Sequence, residues 1–328
     1  MLWSRFTRAT SRRTRNLVIV PRIAYFGPSG TFTEMALSQF ESDGVFAELG
    51  YTGNAERIPL SSPPLTLQAV RDGSVDAAVV PIESSVEGSV SPTLDALGAG
   101  SRLQILAETE IDVAFAILGA PGIALADVRS IRAYPIAAAQ VRLWIEENLP
   151  GVDVQFASSN AAAAEDVAAG LADAAVSTPL AGAQLGLPTL AAGVADIENA
   201  RTRFVLVSLP RPAPTPTGAD RTALVLMPDN VPGVLLSALA ELGIRDIDLT
   251  RIESRPTRTE FGTYWFYVDC AGHIDDPAVG EALRALHSKM KLRFLGSWPV
   301  AAGTGRRPPS LEKEIDWLAQ LREGKGDL

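Results

Sequence analysis

Between Arg22 and about Leu209 the chain alternates short apolar runs with alanine-rich amphipathic stretches. RIAYFG (22–27), DAAVVPIE (76–83) and DVAFAIL (112–118) are compact apolar runs and read as strands, whereas TEMALSQFES (33–42) and AAQVRLWIEENL (138–149) repeat their apolar positions at helical spacing. That alternation predicts an α/β region with parallel strands. PRPAPTPTGAD (210–220) follows, with prolines too frequent for a helix or a central strand, and reads as a linker. Beyond it RTALVLM (221–227), VPGVLLSALAELG (231–243), IDLTRIES (247–254), GTYWFYVDC (262–270), PAVGEALRALHSKM (277–290) and LRFLGSWP (292–299) run strand, helix, strand, strand, helix, strand. This is the βαββαβ order of a ferredoxin-like domain. The tail after Ala302 is rich in glycine, proline and charge and is expected to be loose.

The first region echoes itself. AVRDGSVDAAVV (69–80) aligns with DVAAGLADAAVS (166–177) through Val70/Val167, Gly73/Gly170, Asp76/Asp173 and the Ala-Ala-Val that follows. Chance matches are common in so alanine-rich a chain, but a true repeat implies two similar lobes whose strand ends face one cleft, where open sheets bind ligands. The loops that would line it are FGPSGTFTE (26–34), PIESSVEGSV (81–90) and STPLAG (177–182).

Composition narrows the chemistry. With 328 residues and 47% hydrophobic content the chain can bury a large core in two or three domains. A net charge of −9 argues against a protein that grips nucleic acid or an anionic membrane through a basic surface. The one cysteine, Cys270, forms no intramolecular disulfide and suits a reducing compartment such as the cytoplasm; with only His273 and His287 beside it, no zinc set of Cys and His can be assembled, and only carboxylate sites stay open. The apolar stretch near 111–125 is interrupted by Gly119, Pro121 and Gly122 well short of a spanning length, so no transmembrane helix is expected. Residues 1–21 are basic, the first acid being Glu34, and resemble an organelle transit peptide more than a secretory signal. A disordered extension or an upstream start codon is the simpler reading.

In FGPSGTFTE, Thr31 and Glu34 fit a capping box and Gly30 lets backbone N–H groups approach an anion; the lysine of a Walker loop and the GxGxxG spacing are missing, which disfavours a nucleotide. PIESSVEG supplies Glu83, Ser84 and Ser85, and ASSNAAAAED supplies Ser158, Ser159 and Asn160 where a helix begins. Either serine cluster alone is an ordinary helix cap. In DIENARTRFVLV (196–207), Thr202 favours a strand, and Arg203 suits a surface salt bridge or bidentate carboxylate binding. Together these groups describe a cleft for a small carboxylated anion.

GPSGTFTE, PIESSVEGSVSPTLDAL, NARTRF and RIESRP, in unbroken order from about Arg22 to Ala302, closely resemble the prephenate dehydratase family, of the monofunctional bacterial type with a C-terminal ACT domain. The resemblance implies an α/β fold: a two-lobed, periplasmic-binding-protein-like catalytic region over 22–209, a proline-rich linker over 210–220, an ACT regulatory domain of βαββαβ order over 221–302 and a tail over 303–328. Lobe one would comprise about 22–105 and 190–209, and lobe two about 106–189. It implies a hydro-lyase that turns prephenate into phenylpyruvate, water and carbon dioxide in L-phenylalanine synthesis, with no cofactor and no metal. By the same resemblance Thr202 is the essential catalytic residue, Arg203 fixes its loop or pairs with a substrate carboxylate, and Glu83 is the second candidate acid if burial raises its pKa. Gly30, Thr31, Ser84, Ser85, Ser159, Asn160 and Phe204 would bind substrate.

The resemblance further implies that Asn230, Gly233, Val234 and Leu235, with Glu253, Ser254, Arg255 and Pro256, bind L-phenylalanine as feedback effector between subunits of a homodimer or homotetramer. Gly233 would stand where a side chain obstructs the ligand. The chain departs from the family pattern at Ser84 (often Asn), Asn160 (often Thr), Tyr134 (often His), Val231 (often His) and Val234 (often Ala). Ala200 stands where an asparagine often precedes the threonine by two residues, with Asn199 one place earlier. Arogenate dehydratase, whose substrate carries an amino group for a keto group, is the alternative enzyme. A non-catalytic small-ligand sensor is the alternative of another class, and the intact Thr202-Arg203-Phe204 stands against it.

Overall fold

The computed structural model describes residues 20–301 and 307–325. Nearly all of the basic extension, and residues 302–306 and 326–328 of the tail, lie outside them. In chain order the first lobe contains β1 (Arg22–Phe26), α1 (Phe32–Ser42), α2 (Val45–Glu48), β2 (Glu56–Leu60), α3 (Pro63–Arg71), β3 (Ala77–Ser84), β4 (Gly88–Ser89), α4 (Ser91–Gly98) and β5 (Gln104–Asp112). The second contains β6 (Ala116–Gly119), β7 (Ser130–Ala133), α5 (Pro135–Gln140), α6 (Arg142–Asn148), β8 (Asp153–Phe156), α7 (Asn160–Ala168), β9 (Ala174–Ser177), α8 (Pro179–Leu185) and β10 (Thr189–Ala192). β11 (Arg201–Ser208) then returns to the first sheet, whose order is β2-β1-β3-β11-β5, with β4 on β3; the second sheet runs β10-β6-β9-β7-β8.

Two expectations change here. The sheets are mixed, because β11 runs antiparallel to both β3 and β5, and β6 antiparallel to β9 and β10. A strand that re-enters a sheet after a whole second lobe arrives without a helical crossover, and so is free to pair antiparallel. The lobe boundaries expected near 105 and 190 also move. DVAFAIL is not one strand: β5 ends at Asp112 and β6 begins at Ala116, and residues 113–115 cross between lobes beside 193–200. The crossings are bonded to each other, Val113 N to Ala200 O at 2.7 Å and Val194 N to Phe115 O at 3.3 Å. Asn199 has φ 58°, a left-handed conformation that asparagine tolerates, and Ala200 is buried behind it.

The internal echo is a structural repeat. α3 and α7 begin at serine caps, Ser62 and Ser159, and end in left-handed Gly73 and Gly170 with the same pair of backbone bonds. Asp76 then accepts the N–H of Arg22 at the start of β1, and Asp173 accepts those of Arg129 and Ser130 at the start of β7. Each copy leads into a central strand, β3 or β9.

The C-terminal domain runs β12 (Asp220–Met227), α9 (Val234–Gly243), β13 (Leu249–Pro256), β14 (Tyr264–Ala271), α10 (Pro277–Lys289) and β15 (Lys291–Pro299), with sheet order β13-β14-β12-β15. α9 and α10 cover one face through Leu242, Val279, Ala282 and Leu286. The other face lies on the first lobe, where Ala223, Val225, Tyr267, Leu295 and Trp298 join Leu67, Val70, Leu94, Val205 and Val207 in one buried cluster. Glycine permits the approach at two points: a Cβ on Gly98 would fall 1.9 Å from the Tyr267 hydroxyl, and one on Gly296 would fall 2.2 Å from the Ile105 carbonyl oxygen. The tail departs from the loose chain expected. Pro308 is buried, Leu311 packs against the helix-covered face, and α11 (Glu312–Arg322) follows, with Ile315, Leu318 and Leu321 at helical spacing among its charges. Among the described residues no helix is long and apolar enough to cross a membrane.

Candidate active site

The ends of β1, β3, β7, β8 and β9 carry the loops singled out in the sequence, and the lobes meet through them. Thr178 Oγ1 donates to Gly30 O at 2.6 Å, Gln184 Nε2 to Glu34 Oε2 at 3.2 Å, and Gln140 Nε2 to Glu87 Oε1 at 3.0 Å. At the hinge the rings of Phe32 and Phe115 meet edge to face at 5.7 Å.

β11 presents two different faces. Thr202, Phe204 and Leu206 lie on the face packed by α1, in register with Ile111, Thr109 and Ala107 of β5, and Thr202 is also in register with Ser84 of β3; Phe204 and Leu206 are core there. Thr202 is half-buried at the strand's beginning, beside the hinge, and among the described residues its hydroxyl makes no hydrogen bond. Arg203, Val205 and Val207 lie on the opposite face, towards the C-terminal domain. A bulge decides where Glu83 goes. Phe204 pairs with Pro81 but Arg203 pairs with Glu83, so Ile82 is the extra residue, and the side chains beyond it change faces. Strict alternation from Val79 would have put Glu83 beside Thr202. The bulge instead puts Ser84 there and aims Glu83 at Arg203 Nη2, 2.7 Å away.

The expectations for Glu83 and for substrate pairing by Arg203 are therefore corrected. Arg203 is buried, and it also meets Glu108 Oε2 at 3.0 Å and Asp269 Oδ2 at 2.9 Å. Burial alone would lower its pKa, but Asp269, Glu108 and Glu83 together hold it above the ordinary arginine value. An arginine committed to three carboxylates fixes its strand and has no fork left for a substrate. Beside it a cavity of about 830 Å³ opens between the lobe and the C-terminal domain, bordered by Glu83, Ser84, Ser85, Arg201 and Arg203 and, across it, by Arg221 and Thr250.

The remaining predicted binders divide. Gly30 is occupied at both backbone groups, its N–H donating to Glu34 Oε2 at 2.6 Å and its carbonyl accepting from Thr178, so the anion cradle expected there is filled by the chain's own carboxylate. Burial would raise the Glu34 pKa; donors from Gly30, Ser29 and Gln184 and the charge of Arg57 bring it below the usual carboxylate value. Thr31 caps α1 and donates to Pro28 O at 3.1 Å. Ser159 caps α7, accepting from Ala162 N at 3.0 Å. Ser85 accepts the N–H of Arg201 at 2.9 Å. Phe204 is a core residue of the first lobe, not a cleft contact. Two expected polar groups keep capacity: Ser84, whose oxygen accepts from Val86 and Glu87 N–H groups, and Asn160, half-buried at the start of α7 with an unpartnered Oδ1.

The expected effector motifs sit on the C-terminal domain, in α9 and the edge strand β13. Gly233 has φ 79°, a backbone conformation that by itself favours glycine, and a Cβ there would meet no atom of the chain within 4 Å. Asn230 Nδ2 donates to Gly262 O at 3.3 Å. Val234 and Leu235 are half-buried at the start of α9, and Ser254 and Pro256 are exposed on β13. Arg255 reaches back to the first lobe, gripping Asp95 of α4 with Nε at 3.0 Å and Nη2 at 3.1 Å, while Glu253 lies two residues before Arg255 on β13. Asp95, Glu108, Arg251 and Asp269 were missed in the sequence, because a long-range ion pair leaves no local spacing to read.

A prephenate dehydratase family model matches residues 23–211 and an ACT domain model residues 221–288. The prephenate dehydratase of Mycobacterium tuberculosis is 58% identical over 305 residues, covering 93% of this chain and 95% of the relative. The crystal structure of prephenate dehydratase from Arthrobacter aurescens in complex with L-Phe superposes with a TM-score of 0.83 at 38% identity, over 92% of this chain and all of that one. A solved structure described as GqqA, a novel type of quorum quenching acylase, gives 0.72 at 33% identity over 85% of this chain and 97% of that one. Matched along its catalytic lobes and its effector domain alike, the chain belongs to the prephenate dehydratase family.

Proposed function

We propose that Thr202 is the catalytic hydrogen-bond donor of this enzyme, acting on prephenate held between the lobes. Prephenate dianion and one proton give phenylpyruvate, water and carbon dioxide. The electron pair of the breaking carbon–carboxylate bond enters the ring as the carbon–oxygen bond breaks, and the proton joins the departing hydroxyl. Aromatisation drives the reaction, so the protein must orient the dianion, donate to the leaving oxygen and keep water from the departing carboxylate. The observation that carries this reading is the Thr202 hydroxyl, half-buried, across from Ser84 and unpaired among the described residues. A fixed donor in a desolvated site stabilises developing charge far better than the same group in water; solvent replaces its proton. Asn160, with its unused carbonyl oxygen, and Ser84 supply further polar contacts.

L-phenylalanine is read as the effector, bound where α9 and β13 leave Val234, Leu235, Ser254 and Pro256 accessible, between subunits of a homodimer or homotetramer. The complex of the Arthrobacter aurescens relative with L-Phe supports this. The buried free thiol of Cys270 suits a reducing compartment such as the cytoplasm. The test is an assay of phenylpyruvate formation: Thr202→Ala is expected to lower kcat by about 10²–10³-fold with an unchanged circular dichroism spectrum, and Thr202→Ser to keep most activity. A Thr202→Ala enzyme running at the wild-type rate overturns the assignment. Relative rates on prephenate and arogenate fix the substrate, and a rate that stays flat over rising phenylalanine removes the effector without touching Thr202.

A further inference from the structure

Arg203 leaves β11 on the face opposite its neighbour Thr202 and ends among carboxylates from three strands, one of which belongs to the regulatory domain. That one is Asp269 of β14, fully buried. Its Oδ2 accepts from Arg203 Nη2 at 2.9 Å and from Arg251 Nε at 2.9 Å, while Oδ1 accepts from Arg251 Nη2 at 2.8 Å. Arg251 sits on β13, two residues before Glu253 in the expected effector motif. A single carboxylate oxygen is thus shared between the strand that carries Thr202 and the strand that carries the effector motif.

We infer that Asp269 is a positioning residue for the reaction: through Arg203 it fixes the start of β11 so that Thr202 faces the cleft, and Arg251 draws on the same oxygen from the effector side. The inference rests on the proposed role of Thr202. Its physical basis is the grip of three carboxylates on Arg203, the chain neighbour of Thr202. Their strand end pairs with β5 in unbroken register from Arg201 to Leu206 and with β3 across the bulge at Ile82, so a pull on Arg203 is carried to Thr202. Glu83 and Glu108 anchor Arg203 to its own lobe, Glu108 Oε2 also meeting Trp298 Nε1 at 3.0 Å and Arg221 Nε at 3.1 Å on the regulatory sheet; among the described residues Asp269 is the carboxylate of that sheet that Arg203 meets directly. A shift of β13 that turned Arg251 would turn the Asp269 carboxylate, and with it the pull on Arg203.

The experiment measures kcat and KM for prephenate in the full-length wild type, Thr202→Ala, Asp269→Asn, Arg203→Lys and the Asp269→Asn/Arg203→Lys double variant, each checked for folding by circular dichroism. Asp269→Asn is expected to lower kcat by about fivefold or more with KM changed less than about twofold, and the double variant to lose no more than the worse single variant, because both act through one contact. If Thr202→Ala keeps wild-type kcat, the reading of Thr202 fails and the inference with it. If Thr202→Ala is inactive but a folded Asp269→Asn keeps its kcat, or the double variant loses the product of the two single losses, the positioning role alone is overturned. Should Asp269→Asn not fold, Arg251→Gln leaves the Asp269–Arg203 bond in place and removes only the effector strand's hold. A kcat changed by about twofold or more at constant KM supports the inference, and an unchanged kcat overturns it.

Discussion

Replacing Gly296 by alanine probes the seam between catalytic lobe and ACT domain at its tightest point. A Cβ there would sit 2.2 Å from the Ile105 carbonyl oxygen and 3.2 Å from the Ile105 carbonyl carbon and nitrogen, all backbone atoms that no rotamer change can move. Ordinary contact requires β15 to withdraw from β5 by about 1 Å. That displacement would stretch the bond between Trp298 Nε1 and Glu108 Oε2, now 3.0 Å, beyond hydrogen-bonding range. Gly296 also has φ 142°, which an alanine adopts only under strain. Backbone strain of about 1–3 kcal/mol and overpacking of about 1–3 kcal/mol act together, so a loss of about 2–6 kcal/mol is expected. In urea denaturation followed by circular dichroism this lowers the first midpoint by about 1 M or more. A Gly296→Ala protein that unfolds within about 0.2 M of the wild type would refute a rigid, close-packed seam.

Two further outcomes follow from buried groups. Cys270, pushed up to about 12 by burial and then by the charge of Asp269, is a protonated, covered thiol; at pH 8 it should resist a thiol-reactive dye in the native protein and react fully in urea, and stoichiometric labelling of the folded enzyme would contradict its placement. Glu34 has a folded pKa below its unfolded one, so its contribution is fully present above about pH 4.3 and is lost as pH falls through the folded value. Glu34→Gln should lower stability at pH 7 by about 1.5–3 kcal/mol, with the gap to wild type closing below that pH; a gap constant from pH 7 to 3 would show that the charge on Glu34 does not carry the effect.

The sequence made the order of elements readable because each carries its own period: the six segments from RTALVLM to LRFLGSWP alternate two-residue and helical repeats, and all six form as read. The echo in the catalytic region was readable for a similar reason, since Gly73 and Gly170 stop helices at equal distances before Asp76 and Asp173. Thr202 and Ser84 were visible as motif residues. What the sequence hid is what depends on pairing. The extra residue at Ile82 has no signature of its own, yet it turns Glu83 from the cleft to Arg203. Asp269 reads as one acid in an apolar strand until Arg203, distant in the chain, lies 2.9 Å from it. The break between β5 and β6 was masked because crossing residues 113–115 are as apolar as the strands they join.

The buried cluster shared by Val205, Leu94, Tyr267 and Trp298 bears on how such an enzyme could have arisen. An effector module fused by a flexible tether can be exchanged for another by recombination at the linker. Here the module's sheet roofs its host, and each side supplies a glycine, Gly98 from one and Gly296 from the other, for the fit. A transplanted domain would have to bring a matching underside as well as a ligand pocket, so inheritance should keep the two halves together and let them change in step.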